Sequence, residues 1–329
     1  MSAVVLASDR LKVTITPDVG GTITGVEHRG LGASVLGTVP WLPETTPLDP
    51  DSVRDEPVWL TRFTGGWPLL FPNGCDACMH AGAFHGFHGE ASITPWQAEA
   101  TPSAVRMTRR FRTVPVEMVR ELSVEDDVLA IRERVRMLGD APVKVMWCQH
   151  ATFGSDLLAG PFQIETGARS VLVDDRADPP TNPLRPGVSS RWPMVPGKDG
   201  AYDLSRPKGR VAAGACLHDF DAAWAAIRRL DNSVAAVLSW DAALYPYAWF
   251  WIELGGTMEA PWHGNGRVIG LEPSTTWPAS GLAEAERRGG RLLSLQPGME
   301  VKTVVRLHVF KPRGPVFGVN AAGRALFRA

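Results

Sequence analysis

Leu11-Lys-Val-Thr-Ile-Thr16 places an apolar side chain at every second position, and Pro17-Asp18 with Gly20-Gly21 ends the run. A two-residue period is the signature of a strand with one buried face. The same alternation runs through Val105 to Val114 and Val116 to Val124, broken near Pro115. It returns in Val128 to Met137 after the turn-forming Asp126-Asp127, and in Val301 to Phe310 after Gln296-Pro297-Gly298. Val143 to Trp147 is short and apolar and reads as a buried strand. Ala222 to Leu230 is rich in alanine, which favours helix on propensity alone. Asp231-Asn232-Ser233 and the apolar Val234 to Trp240 that follow read as a hairpin, so strands are expected on both flanks. Residues 174 to 210, rich in Pro, Asp, Arg and Gly, are expected to form a long irregular excursion over the surface, and whether it covers a site stays open. No internal repeat, charge block or low-complexity linker divides the chain. The pattern predicts one antiparallel all-β domain over residues 1–329.

Composition sharpens this picture. The 33 glycines and 27 prolines leave little room for long helices and suit short strands joined by turns. Lys and Arg total 34 against 35 Asp and Glu, a balance that argues against a nucleic-acid or anionic-membrane partner. No run of 18 apolar residues marks a transmembrane helix. The apolar stretch Met1 to Leu6 is too short for a signal peptide and soon meets Asp9 and Arg10. Cys75, Cys78, Cys148 and Cys216 are too few and too unevenly spread for a disulfide scaffold. The expectation is a reduced, cytoplasmic protein, monomer or homodimer.

Five segments carry candidate chemistry. Cys75-x-x-Cys78 with His80, His85 and His88 has the donors for zinc, but a second ligand pair at a set distance is missing, which favours cysteines packed in a loop over a metal site. Gly65 to Gly74 is a Gly/Pro loop holding Trp67, Phe71 and Asn73, either a cavity wall or a packed loop. Phe84-His85-Gly86-Phe87-His88-Gly89-Glu90 sets histidines beside side-chain-free backbone, which lets a ligand approach, although loop histidines often serve only as structural hydrogen bonders. In Trp147-Cys148-Gln149-His150-Ala151-Thr152-Phe153-Gly154, His150 comes directly after a buried strand and before a glycine, where a strand ends and a site can begin. Glu272 follows Val268-Ile269-Gly270-Leu271, and a carboxylate at the end of a buried strand must be paired, hydrogen-bonded or shifted in pKa, as a general base requires. Trp249, Phe250, Trp251 and Trp262 offer faces for a sugar ring or simply for core.

In order along nearly the whole chain, these pieces resemble the aldose 1-epimerase (galactose mutarotase-like) superfamily. Gly20-Gly21-Thr22-Ile23 looks like the family's first hairpin, His88-Gly89 with Trp96 its His-Gly motif, and His150-Ala-Thr-Phe153-Gly154 its middle histidine. Leu271-Glu272-Pro273 resembles the late glutamate. The resemblance implies a β-supersandwich of antiparallel sheets with a sugar cleft. It also implies an isomerase in which Glu272 takes the proton from the anomeric hydroxyl, His150 protonates the ring oxygen and His88 binds a sugar hydroxyl or polarises the ring. Trp67, Asn73 and Trp251 are the further candidate contacts. Neither metal nor redox cofactor is required, and activity is expected to fall at low pH as Glu272 protonates.

The family's Asn-Arg pair is replaced here by Leu70-Phe71-Pro72-Asn73, which with the Gly-Gly-Trp-Pro piece points to divergent bacterial branches. The substrate class therefore stays open between a free aldose and a phosphorylated or sulfonated one, with Arg62, Arg185 and Arg191 as possible anion contacts. A sugar-binding protein without catalysis is the alternative from another class.

Overall fold

The computed structural model describes residues 3–46 and 48–327. Met1 and Ser2, from the apolar Met1 to Leu6 stretch, lie outside the described residues. The architecture is all-β. A four-stranded antiparallel sheet (Val4–Ala7, Leu11–Thr16, Thr22–His28, Ala33–Ser34) packs against the strands Ala104–Arg110 and Val116–Glu125 of a 14-stranded sheet. The large sheet runs, in spatial order, through Leu69–Leu70, Cys148–Gln149, Arg267–Ser274, Tyr247–Leu254, Val211–Arg229, Ala235–Ser239, Glu300–Phe310, Val128–Met137, Val116–Glu125, Ala104–Arg110 and Gln97–Ala100. Thr152–Phe153, Phe162–Val173 and Ser189–Arg191 attach beside this path. No described helix is long and apolar enough to cross a membrane.

The alternating segments form the expected strands. Leu11, Val13 and Ile15 are fully buried while Lys12 is exposed, so one face of that hairpin enters the core. In Arg267–Ser274 every residue after Arg267 is buried, which explains a near-continuous apolar run in place of alternation: both faces of this strand are covered.

The alanine-rich segment belongs to the 19-residue strand Val211–Arg229. Its helix propensity is overruled by ladders on both edges, to Phe162–Val173 on one side and Ala235–Ser239 on the other. Small alanines such as Ala225 and Ala226, both fully buried, let the neighbouring layers close in. The first half of this strand pairs instead with Tyr247–Leu254, beside the site.

The 174–210 segment is more ordered than its composition predicts. Ser189–Arg191 extends the ladder of Phe162–Val173, and Met194–Gly197 forms a hairpin with Gly200–Asp203. Buried Leu184, Val195 and Leu204 anchor it to the core. Three apolar anchors spaced among prolines and glycines give no readable period, yet they suffice to fix the segment.

Candidate active site

The site is built on the buried strand Arg267–Ser274. Two short strands pair with it in one register: Cys148 lies opposite Ser274, and Thr152 lies opposite Gly270. Between them His150 interrupts the ladder at the level of Glu272. The two side chains face each other, with His150 Nε2 3.7 Å from Glu272 Oε1. That gap is too long for a hydrogen bond and leaves both atoms available to a third group. The other ring nitrogen, Nδ1, lies 3.2 Å from Thr152 Oγ1.

Glu272 is 2% exposed and accepts no hydrogen bond from an N–H or O–H donor among the described residues; besides His150, the Cys148 thiol lies 4.0 Å from Oε2. Burial alone pushes its carboxyl well above the usual carboxylate range. Burial also lowers the His150 imidazole to about 4. Burial thus favours the protonated carboxyl and the neutral imidazole in this pair. Gly270, two residues before Glu272 on the same strand face, leaves the space that the carboxylate fills, since a Cβ there would meet Oε1 at 2.1 Å.

His88 enters from a loop that depends on glycine. Its own φ is +59°, and Gly89 follows at +73°. A Cβ on Gly89 would lie 2.6 Å from the Phe71 carbonyl oxygen and 2.7 Å from that of Asn73. His88 Nδ1 accepts from the Cys75 backbone N–H at 2.8 Å, and the His88 N–H donates back to the Cys75 carbonyl at 2.9 Å. The neutral ring thus carries its proton on Nε2. Its ring centroid is 5.3 Å from that of His150, and burial, reinforced by His150 and Arg176, holds its pKa well below the ordinary value.

These groups line a cavity of about 300 Å³. Small-molecule sites run from roughly 300 to 1,000 Å³, so the volume suits one small ligand. Aromatic rings wall it: Trp59 lies 4.5 Å from His88 and 5.9 Å from His150, Phe63 is 5.7 Å and Trp251 6.0 Å from His150, centroid to centroid. Ala212, Ala213, Gly214 and Ala215 of the strand Val211–Arg229 form a low side wall.

Of the residues singled out in sequence, His88, His150, Glu272 and the aromatics Trp249, Phe250, Trp251 and Trp262 meet at this cavity. Trp67 and Asn73 do not. Trp67 is fully buried and donates its indole N–H to Gln149 Oε1 at 3.1 Å. Asn73 is likewise buried, donates to the carbonyls of Asp76 and Gly86, and accepts from the Leu282 N–H at 2.8 Å. Both organise the walls from behind, and their hydrogen-bonding capacity is spent on protein. Arg62, Arg185 and Arg191 also lie away from the cavity. Arg62 pairs with Glu44, Arg185 donates to the Gly197 carbonyl, and Arg191 sits in the ladder with Ser170.

Sequence reasoning missed Trp59, Phe63, Glu56, Asp76, Asp174 and Arg176, all of which line the cavity. Asp174 and Arg176 belong to the 174–210 segment, of which only the first few residues reach the site. Cys75 sits at the cavity wall, while Cys78 lies opposite His85 in a small hairpin. Among the described residues no three His, Cys, Asp or Glu side chains gather as a metal site would need.

No family model and no curated protein matches the sequence. Solved structures do match. The galactose mutarotase-like protein of Clostridium acetobutylicum superposes with a TM-score of 0.65 at 17% identity, over 94% of this chain and 95% of that one. The galactose mutarotase-like protein of Lactobacillus casei ATCC 334 gives 0.62 at 14%, over 94% and 100%. The galactose mutarotase related enzyme of Lactobacillus acidophilus gives 0.64 at 13%, over 94% and 97%. With its antiparallel sheets and a cavity on the buried strand Arg267–Ser274, this chain has the galactose mutarotase-like fold.

Proposed function

We infer that the chain interconverts the α and β anomers of an aldose by acid and base catalysis on the ring hemiacetal. The observation that carries this reading is the facing pair, His150 Nε2 and Glu272 Oε1 at 3.7 Å, buried together in an aromatic-walled cavity. In this reading the pair works with one proton between its two groups.

Ring opening needs a base for the proton on O1 and an acid for the ring oxygen O5. With the proton on Glu272 and His150 neutral, His150 Nε2 takes the anomeric proton. The O1 electrons form the C1=O bond as C1–O5 breaks, and Glu272 delivers its proton to O5. The pair is then imidazolium and carboxylate. Rotation about C1–C2 presents the other carbonyl face. On reclosure Glu272 takes the proton from O5 and His150 delivers one to O1, and both groups return to their starting state; the sequence resemblance implies the opposite assignment for opening, Glu272 on the anomeric hydroxyl and His150 on the ring oxygen. Proton count is unchanged, so no further donor is needed. His88 Nε2–H is a donor for a sugar hydroxyl, and Trp251, Trp59 and Phe63 offer apolar surface to the C–H face of the ring.

The test is NMR exchange between anomers of free aldoses. Acceleration by the protein, lost in Glu272→Gln, is the expected result. Binding without any acceleration would sink the catalytic reading and leave a sugar-binding protein.

A further inference from the structure

The charges around the cavity are unequal. Four carboxylic acids line it (Glu56, Asp76, Asp174 and Glu272) against one guanidinium, Arg176, and burial keeps His88 and His150 uncharged at neutral pH. Arg176 is already engaged: its Nη1 donates to Asp76 Oδ2 at 3.0 Å, and its Nε lies 3.5 Å from Asp174 Oδ1. It is held between Asp76 and Asp174, so a phosphate or sulfonate reaching it would compete with two carboxylates. Glu56 is different. It stands exposed at the cavity mouth, at the start of the short helix Glu56–Leu60, and its carboxylate makes no ion pair among the described residues. Its pKa is raised first by desolvation and then by the charge of Asp76, while Arg176 acts in the opposite sense; what a cation would meet here is the unpaired carboxylate itself. Deeper in the same cavity, Glu272 is also without an N–H or O–H partner. Even with Glu272 protonated, three carboxylates face one guanidinium, which leaves two negative charges uncompensated.

We propose that the cavity takes an aldose carrying a protonated amine, whose ammonium sits beside Glu56, and that it turns away phosphorylated and sulfonated aldoses. This rests on the mutarotase reading for the reaction but on separate residues for the selectivity.

The experiment compares glucose, 2-amino-2-deoxyglucose, 6-amino-6-deoxyglucose and glucose 6-phosphate at about pH 6, where an alkyl ammonium is still charged. Anomer exchange is measured for the wild type and Glu56→Gln. At least one amino sugar should exceed glucose in kcat/KM by about fivefold, the size of a partly exposed ion pair, and glucose 6-phosphate should fall below glucose. Glu56→Gln should bring the ratio of amino sugar to glucose close to one. Glucose 6-phosphate equal to or better than glucose would overturn the proposal. So would amino sugars no better than glucose, or an amine preference that Glu56→Gln leaves intact. If no sugar is turned over, the mutarotase reading fails, and binding of the same four sugars by titration calorimetry decides the selectivity: tighter binding of an amino sugar that Glu56→Gln abolishes sustains it, and equal binding overturns it.

Discussion

Replacing Gly270 with alanine adds one methyl group behind the proposed catalytic carboxylate. The new Cβ would lie 2.1 Å from Glu272 Oε1 and 3.2 Å from Trp251 Cβ. Non-bonded carbon and oxygen do not approach closer than about 3.0 Å, so the carboxylate must retreat by roughly 0.9 Å. Gly270 is not among the positive-φ glycines, so alanine is compatible with its backbone. In a strand interior alanine is favoured over glycine by about 0.5–1 kcal/mol, which offsets part of the crowding. The expected phenotype is thus a folded protein with a displaced acid. A misplacement of about 1 Å costs on the order of 10²-fold in rate. The assay is anomer exchange by NMR on the best sugar, with a thermal melt on the same sample. A variant that melts near the wild-type temperature and has lost about 100-fold in kcat/KM is predicted. A folded Gly270→Ala protein within about threefold of wild type would refute the placement of Glu272 at the reacting atoms.

Other outcomes follow from the same geometry. The singly protonated pair should give a bell-shaped pH profile. Its acid limb belongs to His150, which takes up a second proton at about 4, and its alkaline limb to the raised carboxyl of Glu272. This moves the acid limb from the carboxylate, where sequence reasoning puts it, to the imidazole; a rate that climbs steadily from pH 5 to 9 would contradict the assignment. Beneath the site, Arg120 and Glu133 form a fully buried ion pair at 2.7 Å, and Glu133 also accepts from Gln149 beside His150. Arg120→Met leaves Glu133 unpaired and should cost about 3–5 kcal/mol in denaturant unfolding; a loss under about 1 kcal/mol would show that the network carries little. Gly89→Ala, at φ +73° against two carbonyl oxygens, should destabilise by more than about 1 kcal/mol and shift the His88 ring resonances. An unchanged melt and spectrum would count against the close approach.

Much of this was legible in the chain because burial leaves a local trace. The run Val268 to Leu271 ending in Glu272 marks a strand covered on both faces with an acid at its end, and that is how Arg267–Ser274 is packed. Alternation found the outer strands for the same reason. Registers across the sheet leave no such trace: nothing local says that Cys148 pairs with Ser274, yet that pairing sets His150 opposite Glu272. Arg176 escaped because its partner Asp76 is 100 residues away. Trp59 and Phe63 escaped because two aromatics near a short helix look alike whether they face core or cavity. Trp67 and Asn73 failed in the opposite sense. An indole and an amide in a Gly/Pro loop can serve a ligand or the protein, and here Gln149, Asp76, Gly86 and Leu282 use their hydrogen-bonding groups.

The central claim is that His150 and Glu272 act as one proton-carrying unit, and a double-mutant comparison tests it most directly. Anomer exchange would be measured for wild type, His150→Asn, Glu272→Gln and the two together. Groups that share one proton give non-additive losses, so the double variant should be no slower than the worse single one. Losses that multiply, with each single variant retaining substantial activity, would show two independent contacts and contradict the mechanism.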